Sequence, residues 1–195
     1  VLAGILISLV VTGIVVNANH SQMQEDLAKE VFRFHVLANS DSDEDQALKM
    51  QVKEAVIAYM QEEIPESDSV ETTKEWARSH LDAIVNLAKA VIREEGYDYP
   101  VMAEVTTCDF PDKTYGDITF PSGRYEALRI EIGEANGQNW WCVMYPPLCV
   151  GAATDRKQAA ALWSDPQRDL VQGGERYVVK FKVVEWVQGL LSWFR

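Results

Sequence analysis

The chain has 195 residues, 47% of them hydrophobic, 10% aromatic and 25% charged, enough apolar material for one ordinary globular domain with a real core. Eighteen Lys and Arg stand against thirty Asp and Glu, a formal net charge of −12. That balance repels phosphate backbones and anionic lipid surfaces, so no nucleic acid is expected as a partner and a basic protein surface suits the chain better.

Residues 1–16, VLAGILISLVVTGIVV, carry no charge, and Val16-x-Ala18 beyond them has the pattern of a signal-peptidase site after a hydrophobic region. Residues 1–18 are therefore expected to be a signal peptide or an uncleaved N-terminal membrane anchor, and residues 19–195 a single domain. No initiator methionine or basic stretch precedes Val1, which leaves room for a longer apolar run upstream. Either form of leader exports the remainder to a compartment that permits disulfides. Cys142 and Cys149, close in sequence, are the expected pair, and Cys108, in a strand pattern, reads as a small buried hydrophobe. Without a CxxC, a paired His or an HExxH, no structural zinc and no cofactor are expected.

Beyond a polar stem at Ser21–Lys29, the run Val31–Leu37 is rich in β-branched and aromatic residues and predicts a strand. Ala38-Asn39-Ser40-Asp41-Ser42 supplies helix-capping residue types. Asp45 lies three residues after Ser42, and the acids at 41, 43, 44 and 45 suit the positive end of a helix dipole. Leu48, Val52, Ala55, Val56 and Tyr59 then mark one face of a helix over about 43–63, ended by Ile64-Pro65. Asp41-x-Asp43-x-Asp45 also resembles the start of a calcium loop. Gln46 stands where glycine is needed and Val52 where a bidentate glutamate is needed, so the acids are read as a cap and no metal is expected. Trp76, His80, Ile84, Leu87 and Val91 predict a second helix running to Glu95, with Gly96 as its stop and His80 as a core-edge histidine.

From Tyr97 the period falls to two. Strands are expected over Tyr99–Cys108, over Lys113–Phe120 with an interruption at Gly116, and over Arg124–Ile132. Asn136-Gly137 is a strong hairpin signal; a two-residue turn there would set 132 opposite 141, 130 opposite 143 and 128 opposite 145. In that register Trp141, Val143 and Tyr145 share the apolar face with Leu128, Ile130 and Ile132, while Trp140 points outward. Residues 151–174 read as a variable linker, 176–182 as a last strand and 183–194 as a terminal helix, although a single helix from 177 onward also fits the spacing. The expected fold class is α+β: a strand, a two-helix excursion, then an antiparallel sheet with a C-terminal helix.

No Gly-x-Ser-x-Gly, aspartic-protease motif, phosphate-cradling loop or histidine cluster is present. The one catalytic alternative is a cell-envelope hydrolase using Cys142 or Cys149 as nucleophile with His35 and Asn39 as partners. An exported acidic domain without a catalytic set points instead to binding or signalling.

Four runs carry a resemblance: Phe32 to Lys49, Lys113-Thr114-Tyr115-Gly116-Asp117-Ile118, Tyr125-Glu126-Ala127-Leu128-Arg129, and Gly137 to Cys149. Together they resemble the stage II sporulation protein R family of endospore-forming bacteria. The resemblance implies a non-enzymatic signalling protein made in the forespore and secreted into the space between its two surrounding membranes. It also implies a partner, the membrane-embedded aspartic protease of the mother cell, stage II sporulation protein GA, which processes pro-sigma-E; the membrane itself is touched only through an uncleaved leader. Asn39, Ser40, Tyr115, Arg124, Asn139 and Trp140, polar or aromatic residues at turns and strand ends, are the expected contact residues.

Overall fold

A computed structural model describes residues 22–64, 69–116 and 118–148, with the single positions 12, 163, 167, 168 and 171. Apart from those positions, the expected leader, Cys149, the linker 151–174, the strand 176–182 and the terminal helix lie outside the described residues. Among the described residues no helix is long and apolar enough to cross a membrane.

The described elements follow in order as α1 (helical over 22–29), β1 (Phe32–Leu37), α2 (Asp43–Glu63), α3 (Val70–Ser79) and α4 (Leu81–Glu94). After them come β2 (Val101–Phe110), β3 (Lys113–Tyr115), β4 (Ile118–Phe120), β5 (Gly123–Ile132) and β6 (Asn139–Tyr145). The class is α+β, as the change of period implied. Ser42 caps α2 by accepting from the Asp45 amide at 3.2 Å, and Ile64 closes the helix.

The second predicted helix is two. Its backbone breaks at His80 (φ −110°, ψ 8°), where the Ser79 hydroxyl donates to the Trp76 carbonyl at 2.8 Å and His80 Nδ1 sits 2.7 Å from the same oxygen. Side chains competing for that carbonyl end one helix and let another begin. The His80 ring stacks on Trp76, centroids 4.5 Å apart, at the edge of the core.

The four-stranded sheet runs β2-β5-β1-β6, and it corrects the expectation of an antiparallel hairpin between β5 and β6. β1 lies between them, parallel to β5 (Phe34 beside Leu128) and antiparallel to β6 (Phe34 beside Cys142), so the sheet is mixed. The reason is where the Asn136-Gly137 amides go. They donate to the carbonyls of Asn39 (3.2 Å) and Ala38 (3.0 Å), which carries the chain across the end of β1 to its far side. Inserting one strand also reverses the predicted faces of β6. Trp140 packs, half-buried, on Phe34 (ring centroids 5.6 Å) with Lys53 Nζ 5.2 Å from its ring centre. Cys142 and Met144 enter the same helix-covered core, whereas Trp141 and Val143 face the other way. Tyr145 does join Leu128, Ile130 and Ile132, past an irregularity in register at Phe32 and Arg33.

All six residues of β1 are buried, as a central strand requires. On one face Phe32, Phe34 and Val36 meet Leu48, Val52 and Val56 of α2 and Ile84, Ala88 and Ile92 of α4. Each such burial contributes about 1.5–3 kcal/mol relative to water. Lys74 and Arg78 of α3 ion-pair with Glu126 of β5, Lys74 at 2.9 Å. The other face carries a smaller core of Leu27, Val31, Phe110, Ile118, Phe120, Tyr125, Ala127 and Val143, with Trp163 and Val171. The β3–β4 hairpin covers it, turning through Gly116 at φ +69°.

Candidate functional site

Three rows of side chains cross this second face, fixed by strand pairing and the two-residue alternation. The first is Val143, Arg33, Ala127 and Thr106; the second Trp141, His35, Arg129 and Glu104; the third Asn139, Leu37, Glu131 and Met102. The β3–β4 hairpin and the α1 end cover the first row. The third is open, with Met102 49% exposed and Asn139 exposed.

Arg33 is fully buried. Its Nε donates to the Cys142 carbonyl at 3.1 Å and an Nη to the Tyr115 hydroxyl at 3.2 Å, which donates in turn to the Trp141 carbonyl at 3.1 Å. Rings of Phe110, Phe120 and Tyr125 surround the guanidinium at 4.3, 5.2 and 5.0 Å, a cation–π cage in place of a carboxylate. Burial lowers the Arg33 pKa, although Tyr115 and Tyr125 oppose the shift. Burial likewise pushes the Tyr125 hydroxyl up to about 12.

His35 stacks on Trp141 with centroids 5.8 Å apart, and its Nε2 donates to Asn139 Oδ1 at 2.6 Å. Burial lowers its pKa and the Arg129 and Arg33 charges add to that, against the Asn139 bond, so the ring is held neutral. Arg129 spans the row, pairing with Glu131 and, at 3.7 Å, with Glu104. Among the described residues Arg33 Nη1, His35 Nδ1, Arg129 Nε and Trp141 Nε1 are buried without hydrogen-bond partners, and all four lie on this one face.

The predicted contact residues separate. Asn139 and Tyr115 lie on this face. Asn39 and Ser40 form a clasp at its rim: the Asn39 amide and Ser40 hydroxyl donate to Asp45 at 2.7 and 2.5 Å, and Asn39 Oδ1 accepts from the Glu134 amide at 2.9 Å. Arg124, exposed and paired in register with Asp109, and Trp140 belong to the helix-covered side. With Cys142 as nucleophile the thiol constellation is not assembled, because Cys142 and His35 occupy opposite faces of the sheet; Cys149 lies outside the described residues. Burial raises the pKa of Cys108, with Arg129 opposing, as fits an inert half-buried thiol. From the sequence Trp141 was expected in the core, and Arg33 and Arg129 had no functional role; the signal was present in FRFHVL, where Arg33 and His35 interrupt an apolar central strand at period two.

The profile of the family described as Stage II sporulation protein R matches residues 28–155. The chain is 32% identical over 184 residues to Stage II sporulation protein R of Bacillus subtilis (strain 168), covering 84% of this chain and 82% of that protein. No solved structure matches. The four motif runs and the matched region coincide, and the chain belongs to the stage II sporulation protein R family.

Proposed function

We propose that the chain is an exported sporulation signal, made in the forespore, that activates the membrane-embedded aspartic protease of the mother cell and so triggers processing of pro-sigma-E. Family membership carries this reading. The protein works as a ligand: to activate, it must bind the active form of the protease more tightly than the inactive form. Its contact surface is the open end of the second sheet face, with Asn139, Glu131 and Met102 beyond the row of His35, Trp141 and Arg129. Residues 1–18 direct export, and a Cys142–Cys149 bond closes the loop around Pro146-Pro147 once outside the cell.

The test is co-expression with the protease and pro-sigma-E in a non-sporulating host. Cleavage of the pro-sequence well above background is expected; cleavage equal to that without the chain would overturn the proposal.

A further inference from the structure

Among the described residues β2 is an edge strand of the sheet. It pairs with β5 without a bulge over ten consecutive residues, Val101–Ile132 to Phe110–Gly123, and nothing among the described residues pairs with its other side. Edge strands are ordinarily blunted by lysine, proline or a bulge. β2 has none of these; Pro100 and Pro111 stand just outside it. Among the described residues the amides and carbonyls of every second residue of this ten-residue strand are unpaired on its outer side, bordered by Met102, 49% exposed.

We propose that this edge receives an extended, basic segment of the partner protein, which adds to the sheet as a fifth strand. The inference deepens the proposed function and rests on it. Main-chain hydrogen bonds along β2 supply affinity, and the side chains on its two faces supply selection. Glu104, 3.7 Å from Arg129, points to the open face and Asp109, opposite Arg124 in register, to the helix-covered face; each acid is shared with an arginine of β5, and an incoming strand with Lys or Arg on the free side is favoured over an acidic one. Val101, Ala103 and Val105, half-buried over the helices, ask for β-branched apolar neighbours. A second copy fits poorly, because each chain carries −12.

A photo-crosslinking amino acid is placed at Met102, at Thr107 and, as a control, at Met50 on the exposed side of α2, in the full chain co-expressed with the protease and pro-sigma-E. Adducts with the protease are expected at 102 and 107 and not at 50. In parallel, Glu104→Lys and Thr107→Lys are expected to reduce processing about tenfold by repelling a basic strand, with unchanged circular dichroism. Normal processing by both lysine variants together with no β2 adduct would overturn the inference and leave the signalling function standing. Adducts joining two copies would overturn it in favour of self-association, and no processing by the wild-type chain would remove both proposals.

Discussion

Gly137 lies so close to Ser40 that a β-carbon built on it would stand 2.1 Å from the Ser40 carbonyl oxygen. This contact is where the β5–β6 connection crosses the end of β1, and it joins two of the motif runs, Asn39-Ser40-Asp41 and Gly137-Gln138. Lys49 Nζ donates to the Gln138 carbonyl at 2.8 Å, and the Gln138 amide donates to Asp41 at 2.7 Å. Residues distant in the chain therefore share one clasp.

Gly137→Ala should destabilise the fold because the obstacle is backbone and cannot rotate away, a loss of about 1–3 kcal/mol or more. Gly133→Ala meets Asn39 Oδ1 at 2.1 Å and also starts from φ +60°, which adds about 1–2 kcal/mol of left-handed strain. Gly96, at φ +85° with nothing within 4 Å, should show the strain alone. Thermal melts of the three alanine variants should rank Gly96→Ala as the mildest; equal losses at all three would refute the clasp.

Asp45 anchors the other half of the clasp. Burial pushes its carboxyl up, but hydrogen bonds from Ser40, Asn39 and Tyr99 outweigh this and hold it below the ordinary range. A depressed carboxylate contributes stability above its unfolded pKa, near 4, and loses it as pH falls through the lower folded value. Asp45→Ala should cost about 1–3 kcal/mol at neutral pH by leaving the buried donors unpaired. The gap to wild type should narrow as pH falls below about 4; a gap constant with pH in denaturant titrations would rule out the charge.

Arg33 offers a test of opposite sign. A buried cation offset by rings and two hydrogen bonds rather than by a carboxylate recovers only part of its desolvation, and apolar replacement of buried ions of similar volume is often neutral or stabilising. Arg33→Met should therefore match or exceed wild type in melting temperature. Arg33→Ala, which opens a cavity among Phe110, Phe120 and Tyr125, should lose about 2–5 kcal/mol. A large loss in the methionine variant would show that the bonds to Cys142 and Tyr115 dominate.

Local signals in this chain were legible and one long-range fact was not. Ser42 and Asp45 announced the start of α2, and period two announced β2 and β5. The Asn136-Gly137 pair was a sound hairpin signal by local chemistry, yet its amides were claimed by Ala38 and Asn39, far earlier in the chain. No local pattern encodes such a bond. From that one insertion followed the parallel β1–β5 pairing, the reversed faces of β6 and the exchange of Trp140 for Trp141 on the open face. The break at His80 was missed for a smaller reason: helical periodicity continues across it, and only the competition for the Trp76 carbonyl ends the helix.

His35 should give the protein a sensitivity to mild acid. Its folded pKa lies below the ordinary 6.5, chiefly through burial. Between these values the unfolded chain binds a proton that the folded chain does not, so stability rises with pH across that window. The contribution is complete above about 6.5 and declines as pH falls towards the folded value. His35→Gln, which keeps a polar group facing Asn139 without titrating there, should flatten melting temperature against pH between about 5 and 7. Parallel curves for variant and wild type would show that His35 is not the group responsible. The same window bears on the open face, because protonation would set a cation against Arg129, the His35 neighbour in register, and loosen the row that ends at Glu104 on β2.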